Sequence, residues 1–545
     1  MILAFIFLIS LCLLYIGYKY FGNFLSKYLN IDDNNPTPAH ILKDNIDYVP
    51  THVAVVFGHH FSSIAGAGPI VGPIIACLYF GWLPTILWII IGSIFIGGLH
   101  DYAALVASMR NGGKSIAQIA KGTFGKEAYY TLLIFVLLCL EYVLVVFLDI
   151  TSVTFVQNGS VATSASGYIL IALIFGFILY KFKSNLIITS IPFVILIFII
   201  LYFGYKFPLA QISFFGLSSK QTWQILLLLY CFIASVLPVW VLLQPRDYLS
   251  SYLLYFAIFV GFFGVIFTNN NLNFPFYLSN QNAHGMKLFP ALFIMVACGA
   301  VSGFHSLVSS GTSSKQIAKE SDAKIVGYGG MIVEGVVAVI AVMTIMILTK
   351  AEAKELANPL MIFSKGMSNF LSIFGIGQSF GEVAGLLIIS TFVLTTLDSA
   401  TRISRYIFQE LFGATSLKSR YFATFIVLIM PFIFIFIEVK DKITGKLIPA
   451  WKVIWPVFGS TNQLLAAVSL LILSTWITRQ NNNKSGMINI LFIKLPTVFM
   501  YITTWYALIL HIFFTPIMIV KLTSAILIVL SFRLTYKYLK SISQI

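Results

Sequence analysis

Apolar runs of about 20 residues recur along almost the whole chain, and that is the length a helix needs to cross roughly 30 Å of hydrocarbon at 1.5 Å per residue. Of the 545 residues, 59% are hydrophobic and 10% charged, against about 25% charged in an ordinary soluble domain. A soluble fold could not cover that much apolar surface, so lipid is the solvent. Barrel strands would show stretches of about ten residues with alternating polarity, and these runs of Ile, Leu, Phe and Val do not alternate. The sequence therefore predicts an all-α polytopic membrane protein of about fifteen transmembrane helices. Their extents are about 2–19, 53–79, 83–108, 128–150, 167–181, 185–205, 222–245, 252–268, 288–312, 326–349, 380–400, 421–437, 453–478, 488–513 and 516–534. The first run lacks a basic leader and a small-residue cleavage site, and reads as a helix rather than a signal peptide.

Charge sets the expected orientation. With the N-terminus outside and the C-terminus in the cytoplasm, the inward loops hold 23 of the 34 Lys and Arg residues, as the excess of cations on cytoplasmic loops requires. Arg110 to Lys126, Lys315 to Lys324 and Arg402 to Arg420 are the densest inward stretches, while Lys440 to Lys452 places four cations on the outer side. The formal charge of +15 is scattered through short loops and forms no patch, which excludes nucleic acid as the natural partner. Five cysteines lie inside apolar runs without CxxC spacing, so neither a disulfide framework nor a metal knot is expected. Linkers are short; residues 20–52 and 350–379 are the longest polar stretches, each too small to bury a core of its own.

The most informative segment runs from Gly58 through His59, His60, Phe61, Ser62, Ser63, Ile64, Ala65, Gly66, Ala67, Gly68 and Pro69 to Gly72 and Pro73. Clustered small residues followed by two prolines cannot continue a regular helix, because proline removes a backbone donor and clashes with the preceding turn. The second span is thus expected to break, and irregular backbone at membrane depth is tolerated only where it is buried or lines a cavity. The half-helix starting near Pro69 would aim its positive end at the break, a seat for a substrate carboxylate. The plainer alternative is that the glycines only allow close helix packing. A second break is expected at Leu237 to Tyr248, which contains Pro238 and Pro245; spans 2–6 and 7–11 would then be two five-helix halves of an inverted repeat.

Ionisable residues inside spans are costly and usually face a cavity or a partner. They are His59, His60, His100, Asp101, Glu141, Asp149, Asp247, His305, Glu334, Glu382 and Asp398, of which Asp149, Asp247 and Glu382 lie near span ends and could face water. Histidine changes charge near neutral pH, which makes His59, His60 and His305 candidates for a proton relay. The ninth span ends in the hydroxyl-rich stretch Gly299 to Lys315, whose oxygens could hold a small cation or bond to their own helix.

At these segments a resemblance appears. The run His59 to Pro73, together with Gly98 to Tyr102, Gln244 to Tyr248, Ser302 to Ser306 and Thr396 to Arg402, resembles in order the motifs of the carbon starvation protein (CstA) family over roughly residues 40–475. The resemblance implies an inner-membrane uptake transporter for peptides or for pyruvate, the latter with protons, on a LeuT-like five-plus-five inverted repeat with broken helices and extra C-terminal helices. The expected organisation is an N-terminal helix and linker over 1–50, a transporter core over 51–410 and C-terminal helices over 411–545. Substrate-facing candidates are His59, His60, Ser62, Ser63, Ala65, Gly66, Ala67, Gly68, Pro69, Gln244 and His305. Ion-coupling candidates are His59, His60, Asp101, His305, Ser309, Ser310 and Asp398, with H⁺ or Na⁺ as the ion. Besides the lipid bilayer, the expected partner is a small-molecule substrate, either a peptide or pyruvate. No enzyme activity, cofactor or resident metal is expected, since no HExxH occurs and adjacent His59 and His60 point about 100° apart on a helix. A channel would need rings of charge or carbonyls along a pore; a membrane starvation sensor is the remaining rival.

Overall fold

The computed structural model describes residues 2–268, 271–281, 287–356, 358–414, 416–437, 439–440, 447–448, 450–480, 490–515 and 518–542. Within them the chain is helical apart from loops and a two-residue antiparallel pair, Val439–Lys440 with Leu447–Ile448. Parts of the stretches 269–287 and Lys440 to Lys452, and the first two residues of the last two predicted spans, lie outside the described residues.

Among the described residues, twelve helices are long and apolar enough to cross a membrane, one of them α1 (Ile2–Tyr28). The second span is interrupted, α2 (Val53–Ile64) giving way to α3 (Gly68–Phe80). There follow α4 (Trp82–Arg110), α5 (Ile116–Gln157), α6 (Gly159–Lys181), α7 (Leu186–Lys206), α8 (Ser219–Val236) and α9 (Leu243–Phe267). The ninth segment is a chain of pieces, α10 (Leu288–Met295), α11 (Ala297–Ala300) and α12 (Gly303–Gly311). Then come α13 (Lys324–Met346), the short α14 (Lys350–Leu356) and α15 (Pro359–Leu371), α16 (Gln378–Phe412), α17 (Leu417–Phe434), α18 (Ala450–Gln480), α19 (Leu491–Phe514) and α20 (Met518–Ile542). The predicted count of fifteen exceeds the twelve because α8, the pieces 288–311 and α17 occupy predicted span positions without meeting that standard of length and hydropathy.

Loop chemistry starts the helices. Side-chain oxygens of Ser115, Asn158, Asn185, Ser218 and Ser416 accept backbone N–H groups in the first turns of α5, α6, α7, α8 and α17, satisfying donors that have no partner within the helix. The loop Arg110 to Lys126 is partly helical: α5 begins at Ile116 and turns at Gly125, whose φ of 84° suits a residue without a side chain.

Two ends can be distinguished. Tyr48 donates to Gly112 O (3.2 Å), Val49 N–H to Lys315 O (3.2 Å), and Asp47 pairs with Arg402 (3.5 Å), which gathers the dense basic loops at one end, here termed the basic end. At the other, Leu83 N–H donates to Phe276 O and Asn273 N–H to Met346 O.

The second interruption is not at 237–248. Residues 237–242 form a corner at the basic end between α8, descending to it, and α9, leaving it: Val239 N–H donates to Ile46 O, and Gln244 Nε2 to Thr51 and Gln316. Pro238 sits in the corner and Pro245 in the first turn of α9, where a missing N–H costs nothing. The true second break is Val301–Ser302, between α11 and α12. It lies against the first. A Cβ on Gly68 would meet Cys298 Cβ at 2.2 Å, and one on Gly72 would meet Met295 O at 2.1 Å.

The helices around the breaks pair in an inverted manner: α9 packs along α2 and touches α16, while α18 packs along α12 and α5, and α5 and α16 cross in extensive contact. The α6–α7 hairpin, whose helices pack on each other more than on any other single helix, stands outside this pairing, with α6 lying against α9, α16 and α5. Three wide π-helical turns, at Gly17–Phe21, Ser93–Gly97 and Lys324–Gly329, meet where Tyr328 Oη faces Gly17 O (3.2 Å) and Ile94 O (3.1 Å), joining α1 and α4 to α13.

Close packing at Gly303 is a sensitive point, because a Cβ there would lie 2.4 Å from Ala466 N and Asn462 O. Gly303→Val is expected to lower the melting temperature of the purified protein sharply, as overpacking of rigid backbone costs about 1–3 kcal/mol or more. Gly122→Ala, with nothing within 4 Å, is expected to melt as the parent does.

Candidate functional site

The first break spans Ala65 to Ala67, directly before Gly68 and Pro69, which open α3. Its backbone is spoken for by neighbours: Ala65 N–H donates to Phe61 O (2.9 Å), Gly66 N–H to Ile64 O (2.8 Å), and Thr396 Oγ1 on α16 donates to Ser63 O (3.1 Å). Ser63 and Ser399 hydroxyls lie 3.1 Å apart. A Cβ on Gly66 would approach Thr396 Oγ1 to 2.7 Å, so both Gly66 and Gly68 are positions of close approach. At the second break Asn462 of α18 acts as a cap, its Oδ1 accepting Phe304 N–H (2.9 Å) and its Nδ2 reaching Ser302 Oγ (3.0 Å) and Cys298 Sγ (3.2 Å).

Two fully buried charge clusters flank the breaks. In the first, Arg246 from the opening turn of α9 bridges Asp247 (Nε to Oδ1, 3.0 Å) and Asp398 of α16 (Nη2 to Oδ1, 2.9 Å). Tyr230 Oη donates to Asp398 Oδ2 (2.9 Å), and His59 Nδ1 meets Asp247 Oδ2 at 2.6 Å. Ser62 Oγ donates to Asp247 O (3.0 Å). Two carboxylates face one guanidinium, so the cluster is neutral when His59 carries a proton.

The second cluster holds Asp101 and His100 on α4, His305 on α12 and Glu334 on α13. Asp101 Oδ1 and Oδ2 take His100 Nδ1 and His305 Nδ1, each at 2.8 Å. His305 Nε2 stands 3.3 Å from Glu334 Oε2, close enough for attraction but not aligned as a hydrogen bond. His60 lies beside α13 at Gly330, its Nδ1 2.8 Å from Ser313 Oγ. Among the described residues, Nε2 of His59, His60 and His100 and both Glu334 oxygens have no hydrogen-bond partner. No group of three or more potential metal ligands occurs among the described residues.

The structure gathers most of the predicted positions, with three departures. Gln244 stands at the basic end, bonded to Thr51, Gln316 and Tyr180; fifteen residues of α2 and its approach separate Thr51 from Gly66, about 20 Å of helix. Ser310 spends its hydroxyl on Ser306 O (2.7 Å) in its own helix, while Ser309 Oγ has no partner among the described residues. Asp247, expected near a span end, is fully buried, whereas Glu382 pairs with Lys365 (3.5 Å) at a partly exposed site. Arg246, counted from the sequence as a loop cation, is the one permanent charge of the first cluster; the signal for it was its place beside Asp247 in the motif Gln244 to Tyr248. Asn462 carried no sequence signal.

Two segments of the sequence, 3–362 and 349–507, match the profile of the family described as Carbon starvation protein CstA. The chain belongs to that family. It is 34% identical over 570 aligned positions to a protein of Helicobacter pylori named Peptide transporter CstA, covering 91% of this chain and 80% of the relative. The Bacillus subtilis Peptide transporter CstA is 31% identical (91% and 88% covered), and the Escherichia coli Pyruvate/proton symporter BtsT 28% (92% and 80%). Solved structures share the fold at low identity: an Eremococcus coleocola manganese transporter (TM-score 0.52, 11% identity, 92% of this chain and 98% of that one) and MhsT in complex with L-phenylalanine (0.52, 12%, 84% and 98%). The fold is thus the LeuT-like inverted repeat with broken helices.

Breaking the Arg246 bridge leaves buried carboxylates without their cation, a cost of about 3–5 kcal/mol in comparable pairs. Arg246→Met is expected to lose most folded protein on size-exclusion chromatography, and Arg246→Met with Asp398→Asn to recover part of it.

Proposed function

We propose that this protein is a secondary transporter of the cytoplasmic (inner) membrane that imports a small carboxylate-bearing nutrient, a peptide or pyruvate, together with protons. The observation that carries this reading is the contact of two interrupted helices at Gly68 and Cys298 beside a buried cluster without a permanent cation. Interrupted helices offer a carboxylate the positive end of a half-helix. The names of the Helicobacter and Escherichia relatives supply the two substrate classes, and the second of them supports protons over sodium. On this reading the protein moves solutes and catalyses no reaction.

The second cluster is the better coupling site. Around Asp101 and Glu334 the positive charges are imidazoliums alone, so its net charge is set by protons, whereas Arg246 fixes part of the first. His305, bonded to Asp101 and facing Glu334 from α12, the piece that follows the break, couples proton occupancy to the second break. His59, engaged with Asp247, balances the first cluster, and Ser62, Ser63 and the segment Ala65 to Pro69 form the substrate side. The two halves of the core run from Val53 to Phe267 and from Leu288 to Gln480, with α6–α7 as an insertion. The basic end faces the cytoplasm by the Lys and Arg count, which puts the N-terminus outside.

In proteoliposomes, labelled pyruvate or a dipeptide is expected to accumulate under an inward proton gradient and not under a sodium gradient. His305→Gln and Glu334→Gln are expected to lose at least about tenfold of the driven accumulation while retaining exchange; full accumulation by both removes the second cluster from coupling. Single cysteines at the exposed positions Lys114 and Gly413 are expected to resist an impermeant thiol reagent on intact cells, and one at Ser279 to react; the reverse pattern inverts the orientation.

A further inference from the structure

On α16, residues 398, 402 and 405 fall on one face, four and three positions apart, and lead from the Arg246 cluster towards the basic end over about 10 Å. Asp398 is paired with Arg246. Arg402 Nη2 donates to Ala234 O and Leu237 O, both at 2.6 Å, and its Nη1 stands 3.5 Å from Asp47 Oδ1. Arg405 differs. It is 1% exposed, its guanidinium lies 4.4 Å from the Tyr406 ring, and its Nε and Nη2 have no hydrogen-bond partner among the described residues. These two atoms form the edge of the guanidinium that grips a carboxylate with two parallel bonds.

The surroundings hold cations together with few free acceptors. Lys315 Nζ sits 4.2 Å from the Tyr406 ring, Tyr406 Oη donates to Asp47 Oδ1 (2.6 Å), and Arg420 reaches Val236 O (3.5 Å). Glu410 is engaged by Ser115 (2.8 Å), and Asp44 by the backbone N–H groups of residues 46–48. Burial pushes the Asp47 carboxyl up, but Lys315, Arg402 and Arg405, with the Tyr406 hydrogen bond, outweigh it and hold it below the ordinary range. A guanidinium is always charged, and a buried one with an empty donor edge carries a desolvation cost that only an acceptor offsets.

We propose that Arg405, with Arg402 and Lys315, forms a second binding site, at the basic end, for a carboxylate anion, and that the substrate rests there between the central breaks and the cytoplasm. The site rests on the reading of the substrate as a carboxylate. Its occupation requires the segment 43–52 to move aside, since that segment brings Asp47 against Arg402 and Tyr406.

The direct test observes the arginine itself. In protein labelled with ¹⁵N-arginine and held in nanodiscs, the Arg405 Nε–H resonance is identified by its absence from Arg405→Lys. It is expected to shift saturably with sodium pyruvate and with sodium acetate, but not with sodium chloride at equal ionic strength. No shift, or the same shift with chloride, overturns the site. In proteoliposomes Arg405→Gln is expected to raise the ratio of inner to outer half-saturation for pyruvate exchange about fivefold. Arg405→Lys, which keeps the charge but loses the fork, is expected to give a smaller rise and serves if the Gln variant does not fold; an unchanged ratio in both overturns the proposed resting place. An acetate-dependent shift in a protein that carries neither pyruvate nor dipeptide would uphold the anion site while removing the transport reading.

Discussion

Hydrocarbon offers no hydrogen bonds, and a helix interrupted at membrane depth must therefore find partners for its freed backbone groups in its neighbours. Both interruptions here are solved in the same way, by a polar side chain from the inverted partner of a long helix. Thr396 of α16 serves Ser63 O at the first break, and Asn462 of α18 serves Phe304 N–H at the second. The glycines between them bring the two breaks into contact, with Gly68 against Cys298 and Gly72 against Met295 O. The remaining architecture follows from this demand, since α5, α9, α16 and α18 must pack tightly enough to hold that donor and that acceptor in place.

Charge is arranged by the same rule. Arg246 lies in a fully buried position and is tolerated because Asp247, Asp398 and Tyr230 meet it from three directions. Its cluster ties α8, α9 and α16 together next to the first break. The other cluster, built on Asp101, His305 and Glu334, lacks any such fixed cation, and it sits where α4, α12 and α13 converge. One cluster holds its helices in register through a fixed cation, while the other is bridged by imidazoles and carboxylates alone.

Much of this was legible in the sequence. Long apolar runs located the helices, and two prolines after clustered glycines located the first break within two residues. The same signal misled at 237–248, because Pro238 and Pro245 mark a turn and a helix start as naturally as a break. The real second break contains no proline; it exists because Asn462, 160 residues later, satisfies it, and no local pattern announces a tertiary cap. The place of the α6–α7 hairpin outside the inverted pairing was equally invisible, since both its helices are as long and apolar as other spans of the chain. Arg246 looked like a loop cation for want of knowing that α9 begins at Leu243.

The junction around Tyr328 has a bearing on how the protein is made. Helix α1 leaves the ribosome before the helices it packs on, and 28% of its most apolar window is buried in the finished fold, so it has little to hold it beyond lipid. The polar contact fixing its wide turn at Gly17 comes from a hydroxyl 311 positions downstream. During synthesis α1 waits in the bilayer while the eight helical segments from α2–α3 to α10–α12 are inserted, and its docking onto α13 belongs to the later stages of assembly. The membrane here serves as the holding compartment in which an early helix keeps its shape until its partner exists.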